Sequence, residues 1–171
     1  LAGLVTWVVY GTGVFGVREV RVSGTEILSA EEVRAAAGVR DGVALARVDL
    51  GGIEERLATL APVDHVIASR DWPGTIAIDV VERTAVAVVP QGRKYVLVDR
   101  HGVAFHSVSA KPGGLPIARV AKPGPDDPAT RSALEVLTSL SPQLAKQVSA
   151  VVVKGPAEIE LELRGGRLIV W

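Results

Sequence analysis

RDWPGTIAIDVVERTAVAV, residues 70–88, is the stretch on which the fold turns. Asp71-Trp72-Pro73-Gly74 holds a proline and a glycine between two runs of strand-forming residues, VDHVIASR (63–70) and TIAIDVVER (75–83). That is the composition of a hairpin turn. In the second run Ile76, Ile78 and Val80 recur at every other position and therefore share one face, which must be covered.

The cover lies upstream. Asp49 is placed to cap a helix in which Ile53, Leu57 and Leu60 return at helical spacing until Pro62 stops it, with Gly51 and Gly52 weakening only its first turn. Before it, Ser29 and Glu32 form a capping box. Val33, Ala36 and Ala37 supply a narrow apolar face, and Gly38 ends that short helix. Earlier still, VREVRVSG (17–24) alternates Val17, Val20 and Val22 with charges and closes on Ser23-Gly24, as a short strand does. Val17 to Arg83 therefore reads strand, helix, helix, strand, strand, with both helices on one side of a small sheet: an α+β unit.

Downstream, from Thr84 to Trp171, strands dominate. AVAVV (85–89), KYVLV (94–98) and VAFH (103–106) are separated by turns at PQGR and DRHG, the spacing of hairpins or a meander. Asp127 caps and Pro128 opens one helix, whose face is Leu134, Leu137 and Leu140. VSAVVV (148–153), EIELEL (158–163) and LIVW (168–171) follow, with turns near KGPA and at RGGR. The expected second domain, 84–171, is mainly antiparallel β with one helix, and its last strand presents an unpaired edge.

Composition narrows the function. Of 171 residues 48% are apolar, enough for a core in each half, and 19 basic residues balance 19 acidic ones, so no field suited to a phosphate backbone arises. The chain has no cysteine, which excludes thiolate metal sites, catalytic cysteine and disulfides. Its first residues, LAGLVTWVVYGTGVFGV, carry no charge before Arg18. A membrane span needs about 20 apolar residues. Residues 1–16 therefore read as the C-terminal part of a transmembrane helix begun upstream of Leu1, with Trp7, Tyr10 and Phe15 as interfacial anchors, or else as an ordinary buried element.

Three kinds of chemistry have residues to start from. GTGVFG (11–16) matches G-x-G-x-x-G, with Glu31 at the distance of a ribose contact, which is the signature of a dinucleotide-binding enzyme. The last glycine of that signature must open a helix facing the pyrophosphate, whereas VREVRVSG reads as a strand. His65, His101 and His106 lack helical ligand spacing and a nearby carboxylate cluster, so no metal is expected. No serine stands in a nucleophile elbow and no acid pair stands out, so no catalytic residue and no cofactor is assigned.

RDWPGTIAIDVVERTAVAV also resembles the end of the POTRA domain in FtsQ/DivIB proteins, where an R-x-W-P turn precedes a strand and a closing Glu-Arg pair, here Glu82-Arg83. VREVRVSG resembles that family's V-R-x-V-x-V-x-G after a membrane helix. VLVDRHGVAF (96–105) resembles its V-D-x-x-G-x-x-F hairpin, and LPIARV (115–120) its L-P segment. Together they cover nearly the whole chain.

The resemblance implies a POTRA domain at 17–83 and an FtsQ-type β domain at 84–171, held outside the cytoplasmic membrane by a single-pass helix. It implies a non-catalytic scaffold of the division septum that binds FtsB and FtsL and helps to control septal peptidoglycan synthesis. By alignment on the Trp-Pro turn, His65, Ala68 and Arg70 correspond to positions used in recruitment, or else are plain strand residues. The resemblance further places FtsB docking by strand addition near the C-terminus, on a helix and strand beyond Trp171, with Leu168, Ile169, Val170 and Trp171 bordering the site. A POTRA-bearing protein of outer-membrane assembly or secretion is the alternative within the same architecture. It requires a membrane barrel, whose long alternating segments this sequence lacks.

Overall fold

The computed structural model describes residues 15–155 and 158–171. It divides between Glu82 and Arg83 into two compact units.

In the first unit a strand β1 (Glu19–Ser23) leads to helices α1 (Ala30–Ala37) and α2 (Leu50–Ala58), and then to the hairpin β2 (Val63–Asp71) and β3 (Thr75–Glu82). The sheet order is β1-β3-β2, with β1 parallel and β2 antiparallel to the central β3. The caps form as their residue types demand. Ser29 Oγ accepts from Glu32 N at 3.1 Å while Glu32 Oε2 accepts from Ser29 N at 2.8 Å, and Asp49 Oδ1 accepts from Gly52 N at 3.1 Å. Val33, Ala37, Ile53 and Leu57 from the helices are fully buried against Ile76, Ile78 and Val80, the alternating face of β3.

Two loop features carry the V-x-V-x-G and W-P-G signatures. Gly24, at φ +79°, lies so close to the sheet that a Cβ would fall on the Val80 carbonyl oxygen, so only glycine lets the chain leave β1 here. The Trp72-Pro73 bond is cis.

The second unit builds one seven-stranded sheet. Its strands are β4 (Ala85–Gln91), β5 (Lys94–Asp99), β6 (Ala104–Val108), β7 (Ile117–Arg119), β8 (Val148–Gly155), β9 (Glu158–Leu163) and β10 (Leu168–Val170), in the order β10-β9-β8-β7-β4-β5-β6. Helices α3 (Pro128–Ser139) and α4 (Pro142–Ala145) lie between β7 and β8. Ala133, Leu134, Val136 and Leu137 of α3 pack on Val148, Val151, Ile159 and Leu161.

The α+β class holds, with three refinements to the sequence reading. β7 is a strand, and it pairs parallel with both β4 and β8, so the middle of the sheet is not antiparallel. The cause is the connections: between β7 and β8 a helical crossover carries the chain back to the end of the sheet where β7 began, and between β4 and β7 the β5–β6 hairpin and the irregular stretch after it do the same, so both pairs run parallel. Second, the unit has two helices, because Ser141 caps a turn that Pro142 opens, with Leu144 N donating to Ser141 Oγ at 3.4 Å. Third, Leu140 is the C-cap of α3 and packs at the margin, while Ala133 and Val136 complete the buried face.

Residues 1–14, which carry most of the membrane-helix reading and all but the last two residues of GTGVFG, lie outside the described residues. Among the described residues no helix is long and apolar enough to cross a membrane. Gly16, the last glycine of that fingerprint, forms an antiparallel bridge with Ala44 and leads into β1. It therefore opens no helix.

Candidate functional site

The Glu-Arg pair at the end of the decisive stretch is divided between the units. Glu82 turns back into the first, where its carboxylate accepts from Ile27 N and Leu28 N, both at 2.8 Å, and fixes the loop between β1 and α1. Arg83 serves the second, where Nη1 donates to Asp99 Oδ2 at 2.6 Å. Asp99 is 3% exposed, and its other oxygen accepts from His101 N and Val103 N, both at 2.8 Å, so one carboxylate organises the β5–β6 turn. Gly102 in that turn sits at φ +84° against the Gly124 carbonyl. The V-D-x-x-G-x-x-F signature thus has a structural reading throughout, ending in Phe105, which is 5% exposed.

The residues suited to binding stand on sheet edges. β2 is one edge of the first sheet. Ala68 N donates to Glu54 Oε1 at 2.8 Å and so points away from β3. By strand alternation the main-chain groups of Val66 and Arg70 point the same way. His65, Ala68 and Arg70 do not share a face. His65 projects on the outer face opposite Val81, with Nδ1 3.2 Å from Asp64 Oδ2. Ala68 is buried. Arg70 reaches to the helix side, where Nε donates to Leu45 O at 2.8 Å and Nη2 to Val48 O at 2.6 Å. Arg70 therefore holds the turn before α2 onto the sheet. What sequence reasoning missed is the outer face itself, where Ile67 and Val81 are exposed. The Val80-Val81 doublet, one valine too many for strict alternation, is the signal that could have found it.

β10 is an edge of the second sheet. Trp171 N donates to Ile159 O at 2.8 Å, and Leu163 N bonds Arg167 O at 2.8 Å. These positions spend their hydrogen bonds on β9, so the intervening Leu168 and Val170 turn their main-chain groups outward. Ile169 faces the core, while the side chains of Leu168 and Val170 are 62% and 72% exposed and that of Trp171 is exposed beside them. On the same face Glu162 is held by Arg119 at 2.8 Å and Glu160 by Lys154 at 2.5 Å, a hydrogen bond that raises the Lys154 pKa. The edge thus offers backbone donors and acceptors, with two aliphatic side chains next to neutralised carboxylates on one face and, by alternation, the Trp171 indole on the other.

The histidines outside β2 do not converge. His101 Nε2 accepts from Arg100 Nε at 3.0 Å, and His106 lies on β6. Among the described residues no group of three or more His, Asp or Glu side chains is placed to hold a metal.

Comparison with known proteins meets this geometry. Residues 15–83 match the FtsQ-type POTRA domain, and residues 87–171 match the C-terminal region of cell division protein FtsQ/DivIB. The chain is 37% identical over 183 residues to cell division protein FtsQ of Streptomyces coelicolor, covering all of this chain and 69% of that protein. The chain belongs to the FtsQ/DivIB family of cell-division proteins. Cell division protein FtsQ of Mycolicibacterium smegmatis is 40% identical over 162 residues, 95% of this chain and 48% of that one. The chain thus spans about half the length of the mycobacterial FtsQ relatives it matches. The major extracytoplasmic domain of DivIB from Geobacillus stearothermophilus aligns with a TM-score of 0.43 at 14% identity, over 53% of this chain and 78% of that one. FtsQ/DivIB membership removes the outer-membrane assembly alternative, and it gives the Trp-Pro turn, the Glu-Arg pair and the Val-Asp turn their common frame.

Proposed function

We propose that this chain is the extracytoplasmic part of a single-pass scaffold of the bacterial division complex. It binds FtsB- and FtsL-type membrane proteins and helps to control septal peptidoglycan synthesis without a reaction of its own. The observation that supports this best is the open edge of β10, where Leu168 and Val170 direct both backbone groups and aliphatic side chains outward. A strand laid there, from the rest of the protein or from a partner, takes its register from those two residues. The run up to residue 14 serves as the end of the membrane anchor, because Phe15 and Gly16 already belong to the first unit, and the β2 edge, with His65, Ala68 and Arg70, serves recruitment of other division proteins.

The test is localisation of the full-length protein carrying a fluorescent fusion on its cytoplasmic tail. A septal band is expected, and uniform envelope or cytosolic signal overturns the reading. Residues 15–171 alone are expected to bind an FtsB peptide weakly or not at all, because they only border the docking site. A nanomolar complex would refute that placement.

A further inference from the structure

The chain enters the first unit between two loops. Val17 N donates to Val43 O and Gly42 N to Val17 O, both at 2.9 Å, and Gly16 pairs with Ala44. From the other side, Arg18 N donates to Gly74 O at 2.8 Å. The loop after α1 and the Trp-Pro-Gly turn therefore clasp residues 16–18, where the uncharged run ends. This clasp exposes an unusual set of side chains. Trp72 is half exposed and meets the edge of Phe15 at 5.8 Å between ring centroids, and Val43 is exposed on the opposing loop. Arg40 and Arg47, both exposed, line with Val43 and Arg56 a groove of about 530 Å³. Against Arg40, Arg47 and Arg56 stand two carboxylates, Asp49 in the groove and Asp41 beside Arg40, which leaves one positive charge in excess.

We infer that this clasp is a membrane-contact surface, with Trp72 and Phe15 among the lipid headgroups and Arg40 and Arg47 against the phosphates of anionic phospholipid. Three arguments support it. The distance is right, because two extended residues beyond the run span at most about 7 Å. The headgroup layer is of similar depth, roughly 5–8 Å per leaflet. The chemistry is right as well: an indole with one wet edge prefers the interface, and arginine is drawn to an anionic surface. Finally, the clasp bonds are backbone to backbone, so the loops carrying these side chains cannot move away from the point of exit without breaking them.

The inference rests on the reading of the uncharged run before Phe15 as the end of a membrane anchor, and the experiment separates the two. The full-length protein is placed in nanodiscs containing phosphatidylglycerol brominated close to the glycerol backbone. A single tryptophan is kept at position 7, 72 or 171, every other one being replaced by phenylalanine. Emission from Trp7 and Trp72 is expected to be quenched, and that from Trp171 is not. R40E together with R47E, with an unchanged circular dichroism spectrum, brings Trp72 quenching down to the level of Trp171. A Trp72 no more quenched than Trp171, with Trp7 strongly quenched, overturns the contact surface and leaves the anchor standing. An unquenched Trp7 removes both. Trp72 quenching that survives R40E/R47E and is equal in zwitterionic brominated lipid overturns the anionic headgroup as partner.

Discussion

Replacing Asp99 by alanine tests whether the Val-Asp turn holds the second unit together. The substitution removes an acceptor of three hydrogen bonds, from Arg83 Nη1, His101 N and Val103 N, at a site 3% exposed. Breaking a buried ion pair from one side costs about 3–5 kcal/mol. The Arg83 side chain is 18% exposed, so its guanidinium recovers some hydration and the lower end, about 3 kcal/mol, applies. For a domain of this size each kcal/mol moves Tm by roughly 4–8 °C, so a loss of about 12–24 °C is expected. The assay is thermal unfolding in single-tryptophan forms, with Trp171 reporting the second unit and Trp72 the first. D99N, which keeps an acceptor but loses the charge, is expected to fall between D99A and the parent. A Tm of the second unit within about 3 °C of the parent in D99A would refute the reasoning. So would an equal fall in the first unit.

Further outcomes follow from the same geometry. G24A places a Cβ on the Val80 carbonyl in a backbone region disfavoured for alanine, and is expected to cost the first unit at least 2 kcal/mol or so in urea unfolding. R70A, losing its bonds to Leu45 O and Val48 O, is expected to destabilise that unit by about 2 kcal/mol, whereas H65A stays within about 0.5 kcal/mol; a recruitment defect in H65A without a stability change therefore speaks for direct contact. Glu32 has a lowered pKa through its hydrogen bonds from the Ser29 backbone and hydroxyl, and Asp127 through those from the Thr130 hydroxyl and backbone. A depressed carboxylate stabilises above its unfolded pKa of about 4 and loses that contribution as pH falls through the folded value. E32Q is accordingly expected to flatten the acid side of the urea-midpoint profile for the first unit. V170P removes an outward N–H without touching the β9 ladder, so residues 15–171 carrying it are expected to keep their Tm, while the full-length protein carrying it is expected to retain less FtsB on co-purification.

Local sequence determined the elements. Capping box, Asp49 cap, Pro128 and the alternating Ile76-Ile78-Val80 each act within a few residues, through hydrogen bonds or periodicity that neighbours along the chain specify by themselves. Motif spacing also carried the family, because W-P-G, Glu-Arg and V-D-x-x-G are turns whose backbone demands restrict the residues allowed. Only the tertiary structure decided what lies between elements. It made β7, three residues long, a central parallel strand. It placed Arg70 on the helix side rather than the outer face, committed Ala68 N to Glu54, and sent Glu82 and Arg83 to partners 54 or 55 residues upstream and 16 downstream. Such pairings depend on which chain segments a packed core brings within 3 Å, and a residue's type states only that it needs a partner, not where in the chain the partner lies.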